Sequence, residues 1–389
     1  MGDDPRQRVC FVTTTRADWG LMRPLIVACR QNVRLDPLIV ATGTHMHAEF
    51  GATLDAIIDD DITPDGQYQY PLGDGTGAAN ALAAAAAASG IVPILRSLAP
   101  HLIVLLGDRF ETLAIAESAL LMSIPIVHIH GGDITAGALD DALRHAISKL
   151  AAIHLVATDG SRQRLLQTGE PAARIFVTGS PAIDNVMQHS VTGRTELAQV
   201  LALPLEGPYF LCTWHPVTRN PAETQAGLTA MINAMASFPQ HRWLFTGSNM
   251  DAGFPLIRDK LRGANLANPD RCLIVQSLGT HYLSAAAHAD AVVGNSSSGI
   301  IEVASLGTPS VNIGTRQAGR ERNPSTIDCD AEDTALGAAL ARALTKGHQQ
   351  VAARGYNCYG DGNAAATSVR ILASLQPGTL VTKALNVTP

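Results

Sequence analysis

The residues best suited to chemistry in this chain sit in short polar runs that follow apolar, β-branched stretches. Residues 290–314 hold the fullest example: a strand pattern, the turn Asn295-Ser296-Ser297-Ser298-Gly299, one helix and a second strand. A small-residue turn that opens a helix gathers free N–H groups and hydroxyls at the positive helix end, which suits phosphate or pyrophosphate. Glu302 falls on the first turns of that helix, placed to accept hydrogen bonds from a ribose diol. A serine-rich helix cap without a ligand would carry the same pattern.

Other strand ends carry charge. Thr13-Thr-Thr-Arg16-Ala-Asp18-Trp-Gly20 lacks G-x-G-x-x-G, so a nicotinamide dinucleotide has no support at this turn. It presents Arg16 instead, a permanent cation suited to phosphate, unless Arg16 and Asp18 merely pair at the surface. In Leu105-Leu-Gly-Asp108-Arg109-Phe-Glu111, Asp108 reads either as a helix N-cap or as a carboxylate at a cleft floor kept favourable by Arg109, itself a candidate substrate contact.

His128-Ile-His130-Gly-Gly-Asp133 is the densest group. Strand alternation places both histidines on one face, but no spacing matches a metal frame, so backbone-bonded histidines are expected rather than ligands. Downstream, Asp140 with Arg144 and Asp141 with His145 are (i, i+4) pairs, where one carboxylate is placed to meet substrate. Carboxylates and imidazoles at neighbouring strand ends are what proton transfer at a sugar carbon requires. In the second half, His215 ends a strand in Trp-His-Pro, Asn249 lies in Thr-Gly-Ser-Asn, and Arg316 follows the strand after the serine turn. Each is a candidate contact for phosphate, ribose or base.

These groups need rigid elements to hold them. Strand patterns at 8–14, 37–42, 101–107, 124–130, 153–157 and 175–178 alternate with helical patterns at 21–30, 76–98, 110–122, 139–150 and 161–167. After a stretch without strong period, 188–208, strands recur at 209–214, 242–246, 272–276, 291–294 and 310–313, with helices around 222–237, 280–289 and 300–306. Runs apolar on both faces with helices between them give parallel, doubly wound sheets. The expected fold is α/β: two Rossmann-like domains, 1–187 for sugar and catalysis and 188–363 for the nucleotide. A last helix within 364–389 would pack back on the first domain, and the tail beyond Pro377 would fray. Ligands in such sheets bind in a cleft at the carboxyl ends of the strands.

Bulk properties exclude some partners. A net charge of −6 offers no general attraction to nucleic acid or an anionic membrane. The six cysteines have no C-x-x-C spacing, and the N-terminus leads into a strand without a signal sequence, which together point to reduced thiols in a cytoplasm. The alanine run at 83–88 reads as a buried helix rather than a membrane span.

Taken in order, Thr-Arg-Ala-Asp at 15–18, Gly-Asp-Arg-Phe-Glu at 107–111, His-Gly-Gly-Asp at 130–133, Asp-Asp-Ala-Leu-Arg-His-Ala at 140–146, Trp-His-Pro-Val-Thr at 214–218, Gly-Asn-Ser-Ser-Ser-Gly at 294–299 and Gly-Thr-Arg-Gln at 314–317 span nearly the whole chain. This set resembles the hydrolysing UDP-N-acetylglucosamine 2-epimerases of bacterial sialic-acid-type pathways, relatives of the epimerase domain of the animal bifunctional enzyme. The resemblance implies a glycosyltransferase-B type fold, no metal and no cofactor. It implies loss of UDP and the C2 proton to give a 2-acetamidoglycal, then hydration to UDP and N-acetylmannosamine. Asp108 and Asp140 match the family's catalytic aspartates, with Asp141 a substitute if the preceding turn shifts register. His130 stands where the family often has glutamate, so His130 or Asp133 would take that part. Arg109 matches a substrate contact, Glu302 the ribose acceptor, and Arg16, Ser296, Ser297, His215 and Arg316 the diphosphate donors. The same reaction on UDP-N,N′-diacetylbacillosamine, in legionaminic acid synthesis, is an alternative, as is a non-hydrolysing 2-epimerase. A glycosyltransferase and a nucleotide-sugar sensor are the more distant rivals. Relatives of this kind assemble as homodimers or homotetramers.

Overall fold

Strands whose side chains are apolar on both faces can only sit inside a sheet covered on both sides, and the chain builds two such sheets. The computed structural model describes residues 6–383, apart from 49–52, 74–75, 136–138, 218–219, 248–253 and 382. Two compact units result. The first takes in the described residues of Met1–Ile134, Leu139–Asn185 and Tyr359–Pro389, the second those of Thr135–Ala138 and Val186–Cys358.

The first unit carries β1 (Gln7–Thr13), β2 (Leu35–Ala41), β3 (Gly66–Gln67), β4 (Leu102–Leu106), β5 (Ile126–Ile129), β6 (Ile153–Val156) and β7 (Ile175–Val177), ordered β3-β2-β1-β4-β5-β6-β7. The second carries β8 (Tyr209–Thr213), β9 (Arg242–Thr246), β10 (Cys272–Val275), β11 (Ala291–Gly294), β12 (Ser310–Ile313) and β13 (Thr326–Cys329), ordered β10-β9-β8-β11-β12-β13. Every neighbouring pair is parallel. Strand order reverses between β1 and β4 in one sheet and between β8 and β11 in the other. At such switch points the flanking loops part and leave a crevice for ligand.

Alternation along β1 sends Val9 and Phe11 to one face and Cys10 and Val12 to the other, each joining its own buried cluster. Phe210 and Cys212 of β8 pack opposite Tyr209 and Leu211 in the same way. Each fully buried side chain of this kind contributes roughly 1.5–3 kcal/mol, so the sheets form stiff floors under the loops.

Several expectations change. Arg16 does not lie in a loop, because the helix Arg16–Arg30 starts five residues earlier than its apolar pattern suggested. Thr15 and Asp18 form a capping box that nucleates it. The stretch at 188–208 holds the helix Arg194–Leu201, and β3 and β13 are additional short edge strands. The alanine-rich helix Gly77–Leu98 is not buried: one stripe, Ala83, Ala87, Ile91 and Leu95, packs inward while Leu82 is exposed. By length and composition alone it would reach across a membrane. The helix Ala364–Leu372 packs on Arg16–Arg30, and Asp184 receives the N–H groups of Ala364 and Ala365 at 3.1 and 3.0 Å. The tail expected to fray beyond Pro377 is anchored in its described part, 378–381 and 383, where Lys383 donates to the carbonyls of Ser148, Lys149 and Ala151; the rest lies outside the described residues.

Candidate active site

In the first unit the candidate groups follow β1, β4 and β5. Asp18 is spent on structure: its carboxylate accepts from Thr14 Oγ1 at 2.6 Å and from the N–H groups of Thr14 and Thr15. The Arg16–Asp18 surface pair therefore does not form, and Arg16 stands exposed at the helix start with no ion pair among the described residues. Asp108 is not an N-cap either. Arg109 occupies the cap position of the helix Phe110–Leu121 without a side-chain cap bond, while the Asp108 carboxylate accepts from Arg144 Nη2. Arg144 is 4% exposed and reaches 36 residues back from the helix Leu139–Leu150. Arg144, expected beside Asp140, thus also reaches Asp108, with Asp141 at 3.7 Å as a second carboxylate; Asp140 lies exposed on the same helix. Asp141 also keeps its expected partner His145, at 3.6 Å. Arg109, expected beside Asp108, turns instead to Glu111, Nε to Oε1 at 2.6 Å.

The two histidines part company at the end of β5. His128 is fully buried, its Nε2 donating to the Gly107 carbonyl at 2.8 Å and its Nδ1 facing Ser148 Oγ at 3.1 Å. Burial pushes its pKa down to about 3, so it is a neutral brace under Asp108. His130 breaks the alternation: strand geometry ends at Ile129, and His130 adopts φ +65°. A non-glycine residue pays for that left-handed conformation, and here it swings the ring away from the sheet. His130 Nδ1 lies 2.8 Å from Asp133 Oδ2, and Asp133 Oδ1 accepts from Ser161 Oγ at 2.6 Å. A carboxylate on Nδ1 fixes that nitrogen as the N–H and leaves Nε2 to take a proton. The nearest Nε2 partner is Ser180 Oγ at 3.5 Å, a weak contact that is easily displaced.

Neighbouring strand ends hold these groups together. Leu106 of β4 pairs with Ile129 of β5, and the Gly107 N–H continues the ladder to the Ile129 carbonyl. The arrangement offers a carboxylate with a permanent cation behind it and an imidazole with a carboxylate behind it, which suits proton transfer at carbon.

In the second unit Asn295 is the organising residue. Fully buried at the end of β11, it accepts from the His215 N–H at 2.7 Å and donates to the His215 carbonyl at 2.8 Å. Its own carbonyl receives Arg316 Nη1 at 3.0 Å and Gln317 Nε2 at 2.9 Å. The ends of β8, β11 and β12 are thereby tied at one point, which brings His215, Ser296, Ser297 and Arg316 to a common edge. Gly294 makes this possible: its φ is +139°, and a Cβ there would lie 1.9 Å from the Thr213 carbonyl oxygen. Burial, with Arg316 adding to it, pushes the His215 pKa down to about 4.

The helix after the serine turn is shorter than expected. Ser298–Ile301 is a single α turn, followed by the 3-10 turn Val303–Leu306, so the fixed donors of the loop outweigh any macrodipole. Glu302 sits at the junction of the two, and burial raises its pKa. Tyr282, which the sequence did not single out, stands near Glu302, its buried hydroxyl beside those of Ser298 and Thr213. Asn249 lies outside the described residues.

A family profile described as UDP-N-acetylglucosamine 2-epimerase matches residues 27–373. The chain belongs to this family. It is 34% identical to a Legionella pneumophila UDP-N,N′-diacetylbacillosamine 2-epimerase (hydrolyzing), over 95% of this chain and 96% of that one. A Campylobacter jejuni GDP/UDP-N,N′-diacetylbacillosamine 2-epimerase (hydrolyzing) is also 34% identical, with 84% and 85% covered. A Neisseria meningitidis UDP-N-acetylglucosamine 2-epimerase is 30% identical, with 88% of each covered. Among solved structures, the N. meningitidis UDP-GlcNAc 2-epimerase bound to UDP-GlcNAc aligns with a TM-score of 0.74 at 17% identity, covering 94% of this chain and 99% of that one. The Methanocaldococcus jannaschii UDP-GlcNAc 2-epimerase in complex with UDP-GlcNAc and UDP gives 0.73 at 18% identity, with the same coverage. The two parallel-sheet units therefore have the glycosyltransferase-B-like arrangement of elements expected from the sequence, and the chain is an enzyme of the UDP-sugar 2-epimerase family.

Proposed function

We propose that this enzyme is a hydrolysing 2-epimerase that takes UDP-N,N′-diacetylbacillosamine and releases UDP and the free 2-epimeric sugar. The observation that carries the reaction is the pair of groups at neighbouring strand ends, Asp108 held by Arg144 and His130 backed by Asp133. The choice of sugar rests on the two relatives at 34% identity whose names specify it, and it reverses the order of preference drawn from motifs alone. UDP-N-acetylglucosamine is the second reading, supported by the relative at 30% identity.

In the elimination, His130 Nε2 takes the C2 proton, the C2–H electron pair forms the C1=C2 bond, and the C1–O bond breaks with its electrons leaving on UDP. The C2–H bond has no adjacent carbonyl to acidify it, so positive charge must develop at C1 as UDP departs. The Asp108 carboxylate stabilises that charge. Arg316, the loop of Ser296 and Ser297, and His215 receive the diphosphate, while Glu302 accepts from the ribose. Water then adds its oxygen to C1 and gives up a proton to the Asp108 carboxylate, while C2 takes a proton from the opposite face, from the acid form of Asp140 or Asp141 on the helix Leu139–Leu150. Residues 1–187 would serve the sugar and 188–363 the nucleotide. The six free cysteines support a reducing, cytoplasmic setting.

Incubation with each UDP-sugar in D₂O, followed by NMR, tests the reading. Free UDP and deuterium at C2 of a free manno-configured sugar are expected, with the diacetylated sugar turned over faster. A product that stays linked to UDP would establish the non-hydrolysing reaction instead. His130→Gln should slow UDP release by roughly 10²–10⁴-fold.

A further inference from the structure

Two buried polar atoms in the first unit lack any hydrogen-bond partner among the described residues and belong to one cluster: Glu111 Oε2 and Tyr70 Oη. Glu111 is 0% exposed and Tyr70 3%. A buried carboxylate oxygen and a buried phenol left unpaired cost free energy, and proteins tolerate that chiefly where a function requires it.

The surroundings show what kind of group fits. Glu111 lies in the first turn after β4, three residues beyond Asp108, and its other oxygen is held by Arg109 Nε at 2.6 Å. Arg109 keeps 40% of its side chain exposed and so forms the outer side of the cluster. Tyr70 arrives from the segment after β3, its carbonyl bonded to His47 Nε2 at 2.9 Å and its ring 5.8 Å from that of Tyr68. Tyr70 and Phe110 pack in the same apolar cluster with Ala83 and Ala87. Phe110 directly precedes Glu111, so its packing in the Tyr70 cluster brings the carboxylate and the phenol to the same part of the first unit. The result is an acceptor, Glu111 Oε2, and a donor, Tyr70 Oη–H, within apolar walls and beside a proposed catalytic carboxylate.

We propose that Glu111 and Tyr70 form the recognition site for an acetamido group of the substrate sugar. An acetamido N–H donates to Glu111 Oε2, its carbonyl accepts from Tyr70 Oη–H, and its methyl group meets the apolar side of Tyr70 and Phe110. A hydroxyl can donate to the one atom and accept from the other only where both reach its single oxygen, and it fills less of the apolar space. The inference rests on the proposed reading of this chain as a UDP-amino-sugar 2-epimerase, and it names two further residues that determine which sugar is accepted. N-acetylglucosamine carries an acetamido group at C2 alone, whereas diacetylbacillosamine carries a second at C4, so the site takes one or the other.

Steady-state kinetics of Tyr70→Phe and Glu111→Gln on both UDP-sugars test this. Tyr70→Phe removes only an unpartnered hydroxyl and keeps the packed ring, so it folds and decides the matter even if Glu111→Gln does not. The expected result is a rise in KM of roughly 10-fold with kcat little changed, the mark of lost binding that is equal in ground and transition states. A rise for the diacetylated sugar alone assigns the site to the C4 acetamido group, and an equal rise for both assigns it to C2. Unchanged KM for both sugars in Tyr70→Phe overturns the proposal. Failure of the wild-type enzyme to release UDP from either sugar overturns the functional reading itself and is seen before any variant is made.

Discussion

The two units place polar groups at the same topological position and use them in opposite ways. At the strand ends of the first unit, charges come in opposed pairs: Asp108 with Arg144, Glu111 with Arg109, Asp133 with His130. At those of the second, the edge is built from neutral donors, the Asn295 bracket, two serines and a neutral His215, with Arg316 the cation that shares their anchor point. Paired charges hold side chains whose protonation can be set by a partner, which is what proton transfer at carbon demands. Fixed neutral donors need no reorganisation when an anion arrives, which is what a departing diphosphate demands. On the proposed function, the difference means that the enzyme separates its acid–base work from its leaving-group work by giving each its own sheet.

The sharpest way to break that division is Asp108→Asn. If the first unit does the chemistry, UDP release should fall on the order of 10³-fold while UDP affinity measured by calorimetry holds. An unaffected rate removes Asp108 from the mechanism. Arg144→Met should show a similar fall in rate and lower stability by about 2–3 kcal/mol, since a carboxylate then loses its buried partner.

Gly294→Ala attacks the other sheet. A Cβ at φ +139° and 1.9 Å from the Thr213 carbonyl cannot be accommodated without moving β8 or β11. We expect a loss of about 3 kcal/mol in chemical denaturation together with loss of UDP binding. A variant with wild-type stability would show that the loop is not held as described. Next in size, Arg316→Met should weaken UDP binding roughly 30-fold, less so at high salt, because a charged hydrogen-bond donor is removed. Equal weakening at all salt concentrations would indicate a role only through Asn295.

The smallest effect is on pH dependence. His215 is pushed down to about 4 and His128 to about 3, against about 6.5 for a free histidine. Between these values the unfolded chain binds protons that the folded chain refuses, so stability is complete above about pH 6.5 and declines as pH falls toward 4. Urea midpoints measured from pH 7 to 4.5 should decrease, and His215→Gln should flatten part of the slope. A slope unchanged in both His215→Gln and His128→Gln would show that neither histidine is held neutral by the fold.

Much of this architecture was legible in the residues. Apolar runs alternating with helical stretches dictate parallel sheets, and polar residues after those runs must lie at the carboxyl edges, which is why Asp108, His130, His215 and the serine turn were identifiable. Helix starts were less so, because Arg16 belongs to a helix nucleated by the Thr15–Asp18 capping box rather than by an apolar stripe. Tyr70 and Tyr282 carried no spacing signal, and Glu111 closed the run 107–111 without a role of its own, since a single aromatic or acidic residue takes its meaning only from what surrounds it.

What the sequence determined by itself was therefore the inventory: two α/β halves, their strand ends and the polar residues found there. What only the tertiary structure decided was the partners. Local spacing offers Arg144 only its helix neighbours Asp140 and Asp141, whereas the packing of the helix Leu139–Leu150 against the sheet also carries it to Asp108, 36 residues away. Strand alternation puts His128 and His130 together, yet the chain turns at Ile129, burying one as a neutral brace and giving the other to Asp133. Side-chain periodicity is a property of a short segment and can be read from it. Which charge finds which, and which is left unpaired in the dark of the core, depends on sheet order and depth, and those are set by the whole chain at once.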